Sequence, residues 1–270
     1  MIRTNRKEGV VMNQSERCAW LVEKLLAENP SGYADMKIPA AAAERKRLLR
    51  ALMNVRPPAP AAAEFLRIQD EYLREETRLK DVVTVESLSP AEPGIYLWQG
   101  DITRLAADAI VNAANGSLLG CFVPCHGCID NAVHSAAGVQ LRQECAALMR
   151  RRGGGEPPGR AQITGAYNLP CRYVIHTVGP IVGRSVTDED RRLLASCYHS
   201  CLHLAAKRKL RSVAFCCVST GEFRFPNEEA AAIAVAAVRD FLAEHEGMEV
   251  VFDVFKELDR KIYSRLLGAR

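Results

Sequence analysis

The sequence predicts an α/β/α sandwich, in which helices flank a largely parallel or mixed sheet, with a helical extension in front of it. From about residue 93, short apolar strand segments alternate with segments of helical periodicity. Before that point, apolar residues recur at helical spacing and no strand pattern is evident. The 270 residues suffice for a large domain with an extension. We therefore divide the chain into an N-terminal helical extension, residues 1–85, and a main domain, residues 86–270.

The extension is predicted to be helical from residue 14 to about residue 80. Two groups of apolar side chains follow helical spacing: Cys18, Leu21, Val22 and Leu25, and then Leu48, Leu49 and Leu52. Prolines around Pro57 interrupt the pattern before a charged helix, Glu64–Leu79. The segment holds no cluster of catalytic residue types, so we interpret it as docked on the main domain. The stretch before Met12 is unpatterned, and a disordered leader or a misassigned start are both open interpretations.

The main domain alternates strands with helices. The predicted elements are, in order, strands Gly94–Trp98 and Ala109–Val111, helix Asp130–Arg150, strand Tyr173–Val178 following Ala161–Asn168, helix Asp188–Lys207, strand Ser212–Ser219, helix Asn227–Glu244, strand Glu249–Phe255 and helix Glu257–Leu267. The glycines at 153–155 stop the first of these helices.

Composition and charge exclude several function classes. The formal net charge is only +4, and Lys and Arg are scattered among acids, which argues against a nucleic-acid-binding protein. No run approaches the roughly 18 apolar residues of a membrane helix. The polar start, Met1–Asn13, has no apolar signal-peptide core. We therefore expect a cytoplasmic protein that does not act at a membrane.

The first of three polar loops, Gly100–Thr103, follows a predicted strand. In open α/β sheets, ligands bind at the carboxyl ends of the strands. A carboxylate at Asp101 suits a hydrogen bond from an exocyclic amine such as that of adenine. A helix cap or turn at Asp101 is an equally open interpretation.

The second polar loop is Asn112–Gly116, after the strand that ends at Val111. Asparagine side chains suit a polyhydroxyl ligand, since each amide offers both donors and an acceptor. Asn-Gly is also a strong turn signal, which explains Asn115 well and Asn112 less well.

The third polar loop, Ser219–Pro226, lies between a buried strand and a helix. Successive backbone amides around Gly221 suit a diphosphate, and Phe223 or Phe225 suits stacking on a ribose or base. An ordinary strand-to-helix turn is the alternative. The acidic Glu222 counts against anion binding unless its side chain points away.

A cluster of thiols and an imidazole stands out among the ten cysteines. Most of the others lie in apolar runs and are predicted core residues, namely Cys145, Cys197, Cys201, Cys216 and Cys217. Cys121, His126 and Cys128 offer the donors that zinc prefers, with a fourth position left open as in catalytic zinc sites. Cys125 is adjacent to His126 and is expected to point to the other side of the loop. A closed structural zinc site, unliganded thiols and a Cys125–Cys128 redox pair are the alternatives.

Polar residues follow this cluster. Asp130 is expected in the first turn of the next helix, where it either orients a water or a ribose hydroxyl or simply caps the helix. We interpret His134 and His176 as packing or hydrogen-bonding residues rather than metal ligands.

Several of these motifs together resemble one family, the macrodomains. The residues that carry the resemblance are Gly100–Thr103, Val111–Asn115, Leu118–Gly120, Ile129–Gly138, Ser219–Gly221 and Pro226. Where ordinary macrodomains have a polyglycine stretch, this chain has Cys121–Cys128, which is similar to the zinc-containing macrodomains of microbes. The resemblance spans about residue 90 to the C-terminus, and a helical extension is usual in that subgroup. It identifies residues 86–270 as a macrodomain with a mixed central sheet.

What the resemblance implies is a pocket for ADP-ribose. Asp101 would hold the adenine amine, and Ile102 would add a backbone contact. The diphosphate loop would comprise Ser219, Thr220, Gly221, Glu222 and Phe223. Asn112 and Asn115 would line the distal ribose, beside Zn²⁺ on Cys121, His126 and Cys128. In many macrodomains a small apolar residue stands where this chain has Glu222.

The activity implied is hydrolysis of ADP-ribose from acidic protein side chains, with Asp130, Asn112 and Asn115 as catalytic residues. Zinc would bind a ribose hydroxyl or a water and lower its pKa. The implied partners are a sirtuin-type ADP-ribosyltransferase and an ADP-ribosylated substrate, such as a lipoyl carrier protein. A non-catalytic ADP-ribose reader with structural zinc is the main alternative, and a nucleic-acid-binding macrodomain is a more distant one.

Overall fold

The described part of the extension, from residue 12 onward, contains three α-helices. The computed structural model describes residues 12–268, so the unpatterned stretch before Met12 lies outside the described residues. The helices are α1 (Gln14–Ala27), α2 (Ala42–Val55) and α3 (Ala63–Arg78). Helix α1 begins at a capping box, in which the side chains of Asn13 and Glu16 each accept the other's backbone N–H. The prolines after Val55 end α2, because proline cannot continue a helix.

These helices enclose an apolar cluster of their own. Its buried members are Cys18, Leu21, Val22, Leu25, Leu49, Leu52, Met53, Phe65, Ile68, Tyr72, Leu73 and, from the main domain, Val139. Because Val139 belongs to this cluster, the extension packs directly on the main domain. A second, larger cluster draws its members from Val85 to Leu267. The division between residues 85 and 86 stays a prediction.

The larger cluster surrounds a seven-stranded sheet. Its strands are β2 (Pro90–Glu92), β3 (Ile95–Gln99), β5 (Ala109–Ala113), β6 (Ala161–Gly165), β7 (Tyr173–Thr177), β8 (Ser212–Phe215) and β9 (Glu249–Val254), and the order is β2-β3-β9-β8-β5-β7-β6. A separate parallel pair joins β1 (Val83–Thr84) to β4 (Leu105–Ala106). Only the two outermost pairings, β2 with β3 and β6 with β7, are antiparallel. The predicted mixed sheet is confirmed.

Five helices pack around this sheet. They are α4 (Ile129–Ala137), α5 (Val139–Arg152), α6 (Asp188–Lys207), α7 (Asn227–Glu244) and α8 (Glu257–Leu266). Helix α6 packs on α7, and α7 on α8, while α4 packs on α5 and on β5. This arrangement is the predicted α/β/α class. Within residues 12–268, no helix combines the length and apolar character that a membrane crossing requires.

Two predicted elements differ from the observed ones. The single helix Asp130–Arg150 is instead two helices, α4 and α5, separated by Gly138, whose φ of +96° lies outside the helical region. The strand predicted to reach Ser219 ends at Phe215, and Ser219 has a φ of +66°. A strand requires a negative φ, so the left-handed conformation of Ser219 turns the backbone and cannot extend the strand.

All ten cysteines are free. The predicted core cysteines Cys145, Cys197, Cys201 and Cys216 are buried, and Cys217 is half-buried against the core. The remaining thiols near residues 121–128 are half-buried and belong to the site described next.

Candidate active site

The polar loops converge at one edge of the sheet. Strands β3, β9, β8, β5 and β7 are parallel to one another, so their carboxyl ends lie on the same side. The loops that leave these ends include all three that the sequence singled out. Open α/β sheets bind their ligands on this side, outside the carboxyl ends of the strands.

Asp101, at the end of β3, acts as a cap in this structure. Its Oδ1 accepts hydrogen bonds from the Thr103 backbone N–H at 3.0 Å and from the Thr103 hydroxyl at 2.6 Å. Its Oδ2 lies 3.4 Å from Lys80 Nζ. Burial alone would raise the pKa of Asp101, but the Thr103 hydrogen bonds and the Lys80 charge outweigh it and lower that pKa. The carboxylate is therefore ionised and suited to accept from an amine, and the side chain of the neighbouring Ile102 is buried.

Asn112, at the end of β5, is fully buried in a polar network. Its Nδ2 donates to Asp130 Oδ1 at 2.8 Å and lies 3.2 Å from His176 Nδ1. Because the amide has two hydrogens, the second one donates to Nδ1, and His176 carries its own proton on Nε2. That nitrogen lies 2.9 Å from Thr164 Oγ1. Asn112 Oδ1 is buried and has no partner among the described residues, as expected of an acceptor that a bound ligand satisfies.

Asn115 combines the turn role with a contact to the same network. Its Oδ1 accepts from the Ser117 backbone N–H at 3.0 Å, which is turn chemistry. Its Nδ2 donates to Gly120 O at 3.1 Å and to Asp130 Oδ2 at 3.3 Å. Asp130 thus joins both asparagines of the second loop through its two oxygens.

Asp130 lies in the first turn of α4, where the sequence predicted it. The carboxyl group is buried, and burial raises its pKa to about 6 although the Asn112 hydrogen bond and the Arg142 charge act in the other direction. His134 Nε2 lies 3.5 Å from Asp130 Oδ1. Burial, followed by the charges of His176 and Arg142, lowers the pKa of His134, so its ring is neutral.

Cys121, His126 and Cys128 come together in one cluster. Their donor atoms all lie within 4.8 Å of one another, and Cys121 Sγ is 3.6 Å from His126 Nδ1. A sulfur and a nitrogen that share a tetrahedral zinc ion lie about 3.6 Å apart, given zinc bonds of about 2.3 and 2.0 Å. The donor types and this separation therefore fit zinc.

The remaining loop residues support that set. The Cys125 thiol donates to Arg47 O at 3.4 Å and does not belong to the cluster. Cys128 is the N-cap of α4, and its Sγ accepts from the Asn131 backbone N–H at 3.4 Å. Burial raises the pKa of the Cys128 thiol to about 11 despite that hydrogen bond. In the metal-free protein this thiol is consequently protonated, and a bound metal would displace the proton.

The third loop forms a tight double turn before α7. The Phe225 N–H donates to Ser219 O at 3.0 Å, which closes the loop. Ser219 Oγ is buried without a partner among the described residues, and Thr220 Oγ1 donates back to Cys217 O at 3.0 Å. Apart from its chain neighbours, no described residue would lie within 4 Å of a methyl group at Gly221, so its surroundings are open. This combination leaves one hydroxyl and an uncrowded backbone to meet a ligand.

The aromatic and acidic residues of this loop occupy different environments. Phe225 is only 1% exposed and lies in the core, so the interpretation that it stacks on a ligand is wrong. Phe223 is half-buried, and its carbonyl accepts from the Val182 N–H at 2.9 Å. The exposed Glu222 carboxylate lies 3.6 Å from His126 Nε2, which links the third loop to the thiol cluster.

Sequence reasoning missed one residue at this edge of the sheet. Phe255 directly follows β9, is 75% exposed, and accepts a hydrogen bond at its carbonyl from Gln99 Nε2, at the end of β3. An exposed aromatic ring at the carboxyl ends of the strands suits a nucleobase. The signal was an aromatic residue at the end of a buried strand, which the sequence analysis counted as part of that strand.

The extension also reaches the site, which the sequence analysis did not predict. Arg50 and Asn54 of α2 contact the segment that contains the thiols, and Arg142 of α5 donates to Leu119 O just before it. No short-range motif identifies these residues, because each lies at least 23 positions from its partner in the sequence.

Comparisons with known proteins show which family the chain belongs to. The Macro domain family matches residues 111–234. A protein-ADP-ribose hydrolase of Treponema medium is 52% identical over 95% of this chain and 100% of its own length. One from Staphylococcus aureus is 47% identical over 84% of this chain and 86% of its own length.

Two similar solved structures are macrodomains that hold ADP-ribose or ADP. The Trypanosoma brucei macrodomain in complex with ADP-ribose has a TM-score of 0.64 at 36% identity, covering 78% of this chain and 92% of its own. The Oceanobacillus iheyensis macrodomain with ADP has a TM-score of 0.60 at 40% identity, covering 64% and 90% of the two chains. From this relatedness and the macrodomain fold, the chain belongs to the macrodomain family of protein-ADP-ribose hydrolases.

Proposed function

We propose that the protein is a zinc-dependent hydrolase that releases ADP-ribose from acidic side chains of modified proteins. The observation that carries the proposal is the position of the thiol cluster. Cys128 caps the helix whose first turn holds Asp130, and Asp130 is hydrogen-bonded to Asn112 and Asn115. A metal held by Cys121, His126 and Cys128 would therefore lie near the asparagines proposed to bind the distal ribose.

Each polar residue has a task that its contacts support. The unpartnered Asn112 Oδ1 accepts a hydrogen bond from a ribose hydroxyl, while its Nδ2 is held by Asp130. Asp130 fixes both asparagines and orients the ribose or the attacking water. When bound, zinc supplies Lewis-acid chemistry, which lowers the pKa of a ligated oxygen.

The rest of the nucleotide extends along the sheet edge. Ser219, Thr220, Gly221, Glu222 and Phe223 surround the diphosphate, with the Ser219 hydroxyl free to donate to it. Asp101 and the backbone of Ile102 contact adenine, and Phe255 covers the base. The contact between Glu222 and His126 draws that carboxylate toward the thiol cluster, which reduces its repulsion of the diphosphate.

A role in reversing ADP-ribosylation by a partner enzyme accords with one relative. A Fusarium oxysporum protein described as a probable bifunctional ADP-ribose hydrolase/ADP-ribosyltransferase is 40% identical over 89% of this chain and 44% of its own length. We accordingly propose that this chain acts in the cytoplasm on the product of a sirtuin-type transferase, with a lipoyl carrier protein as the candidate substrate.

The test separates zinc-dependent hydrolysis from ADP-ribose binding. We expect purified protein to hold one zinc per chain and to release ADP-ribose from an aspartate- or glutamate-modified protein. Chelation should abolish turnover, leave ADP-ribose affinity within a few-fold, and be reversed by added zinc. Cys121→Ser should behave like the chelated protein, whereas Cys125→Ser should keep zinc, because the Cys125 thiol donates to Arg47 O and lies outside the cluster.

Two results would contradict this proposal. Full turnover by metal-free protein with an intact far-UV circular dichroism spectrum would remove zinc from the reaction. Binding of ADP-ribose without release from any acidic linkage would favour a reader, and an arginine- or serine-linked substrate tested in parallel would reveal a different bond specificity.

A further inference from the structure

Asn54, in the last turn of α2, connects the extension to the segment that carries the thiols, Cys121–Cys128. Its side chain is 1% exposed, its Oδ1 accepts from the Cys125 N–H at 2.9 Å, and its Nδ2 donates to Ser135 Oγ at 2.9 Å. Cys125 has a φ of +53°. This left-handed conformation is unfavourable for a residue other than glycine. The Asn54 hydrogen bond therefore holds a backbone turn that the segment would not favour alone.

Arg50, one helical turn earlier, contacts the segment at a second point. Its Nη2 donates to His126 O at 3.2 Å and to Asn131 Oδ1 at 2.8 Å, and its Nε donates to the same Oδ1 at 3.2 Å. The guanidinium thereby ties the backbone of one proposed ligand to a residue of α4.

Asn131 connects the other two proposed ligands. Its backbone N–H donates to Cys128 Sγ at 3.4 Å, and its Nδ2 lies 3.5 Å from Cys121 O and 3.0 Å from Val123 O. Arg50 and Asn131 together contact all three residues of the cluster. A shift of either side chain would change the spacing of the three donor atoms.

Helix α2 is itself fixed against the main domain. Leu49, Leu52 and Met53 are buried in the extension's core, on which Val139 also packs. At the C-terminal end of the helix, the buried Arg142 donates from Nη1 to Met53 O at 3.1 Å, and its Nε donates to Leu119 O at 2.7 Å. The helix therefore offers a rigid support rather than a flexible contact.

We propose that helix α2 of the extension positions the proposed zinc ligands, with Arg50 and Asn54 as positioning residues. The inference rests on the proposed zinc-dependent function. Residues 121–128 contain no helix or strand of their own, so their free conformations must be restricted before three donors can meet one ion. Contacts from α2 make that restriction before binding, which raises metal affinity in the way that outer-shell hydrogen bonds do.

The experiment measures zinc affinity by competition with a chelating dye. We expect Arg50→Ala and Asn54→Ala to weaken zinc binding about 10- to 100-fold, and Arg50→Lys, which keeps one donor, to fall between Arg50→Ala and wild type. Lys46→Ala is the matched control on the same helix, because Lys46 pairs with Glu76 of α3, at 2.8 Å, away from the thiol cluster. Its zinc affinity should equal that of wild type. At saturating zinc, the two alanine variants should regain most of their turnover.

The outcomes distinguish the two proposals. Unchanged zinc affinity in both alanine variants, with wild type binding one zinc, would overturn the positioning role and leave the proposed function standing. An equal loss in Lys46→Ala would show a general effect of helix stability and would also overturn it. If wild type binds no zinc, the proposed function fails first, and this inference fails with it. Circular dichroism and Tm identify any variant that does not fold. If Asn54→Ala unfolds, Arg50→Ala still tests the proposal, because Arg50 is only half-buried.

Discussion

His176, together with Asp130, sets the orientation of the Asn112 side chain. It is fully buried on β7, beside Asn112 on the neighbouring strand, and contacts Thr164 on the other side. Burial lowers its pKa to about 4. The neutral ring accepts from the Asn112 amide, and protonation of Nδ1 would remove that acceptor.

This pKa predicts a pH dependence of stability. Between pH 6.5 and about 4, the unfolded chain binds a proton at this histidine while the folded protein does not. The free energy of unfolding contributed by His176 therefore falls with falling pH, at a slope approaching 1.4 kcal/mol per pH unit, about 3 kcal/mol over the whole window. Asp130, whose pKa is raised, acts in the opposite direction below about pH 6.

Urea denaturation at pH 7 and pH 5 checks this prediction. His176→Gln removes the titrating group, so its loss of stability between these pH values should be smaller than that of wild type. The comparison cancels the Asp130 contribution, which both proteins share. An identical pH dependence in the two proteins would mean that His176 titrates normally.

At the scale of elements, the junction between α4 and α5 is both a break in the helix and the place where α3 packs. Gly138 has a φ of +96°, and a Cβ there would lie 2.6 Å from Gln69 Nε2 of α3. Gln69 is fully buried, and its Oε1 accepts from the Val139 N–H at 3.0 Å. The break in the helix thus creates the place where α3 docks.

Gly138→Ala should lower the free energy of unfolding by roughly 1 to 3 kcal/mol, because alanine disfavours this φ and its methyl group displaces Gln69. Gly154→Ala serves as the control, since a Cβ there meets nothing within 4 Å and its φ is not positive. Urea unfolding of the two variants measures the difference. Equal free energies of unfolding for the two variants would contradict both the backbone strain at Gly138 and the steric contact with Gln69.

The elements were predictable to different degrees. The strand-end loops carry Asp101, Asn112 and Ser219 in short motifs, so the sequence indicated both the edge of the sheet and its ligand class. The break at Gly138 was missed because apolar residues continue at helical spacing on both sides of it. Arg50 and Asn54 were missed because their partners in the Cys121–Cys128 segment lie more than 70 positions away, and only the packing of α2 creates those contacts.

At the scale of the whole molecule, the extension and the main domain are joined by polar contacts as well as apolar ones. Buried Arg142 donates to carbonyl groups at the end of α2, and Asp70 of α3 accepts from Asn168 and Gln140. Opening this interface would exchange these hydrogen bonds for bonds to water, at a net cost of roughly 0.5 to 1.5 kcal/mol each, and would expose the apolar surface around Val139. Separate unfolding of the extension is therefore unfavourable.

The two tryptophans of the chain report on this coupling. Trp20 belongs to α1 and Trp98 to β3. We expect the single-tryptophan variants Trp20→Phe and Trp98→Phe to show fluorescence transitions at the same urea concentration, once each is corrected for its own stability by circular dichroism. An earlier transition for Trp20 fluorescence would mean that the extension unfolds independently.

The position of β9 has a consequence for how the protein is made. This strand is the latest of those described to leave the ribosome, yet it pairs with β3 on one side and β8 on the other, near the middle of the sheet. Until it is synthesised, β3 and β8 keep unpaired edges that invite association with other nascent chains. Productive folding must therefore wait for residues 249–254, and slow release of these residues would favour aggregation during translation.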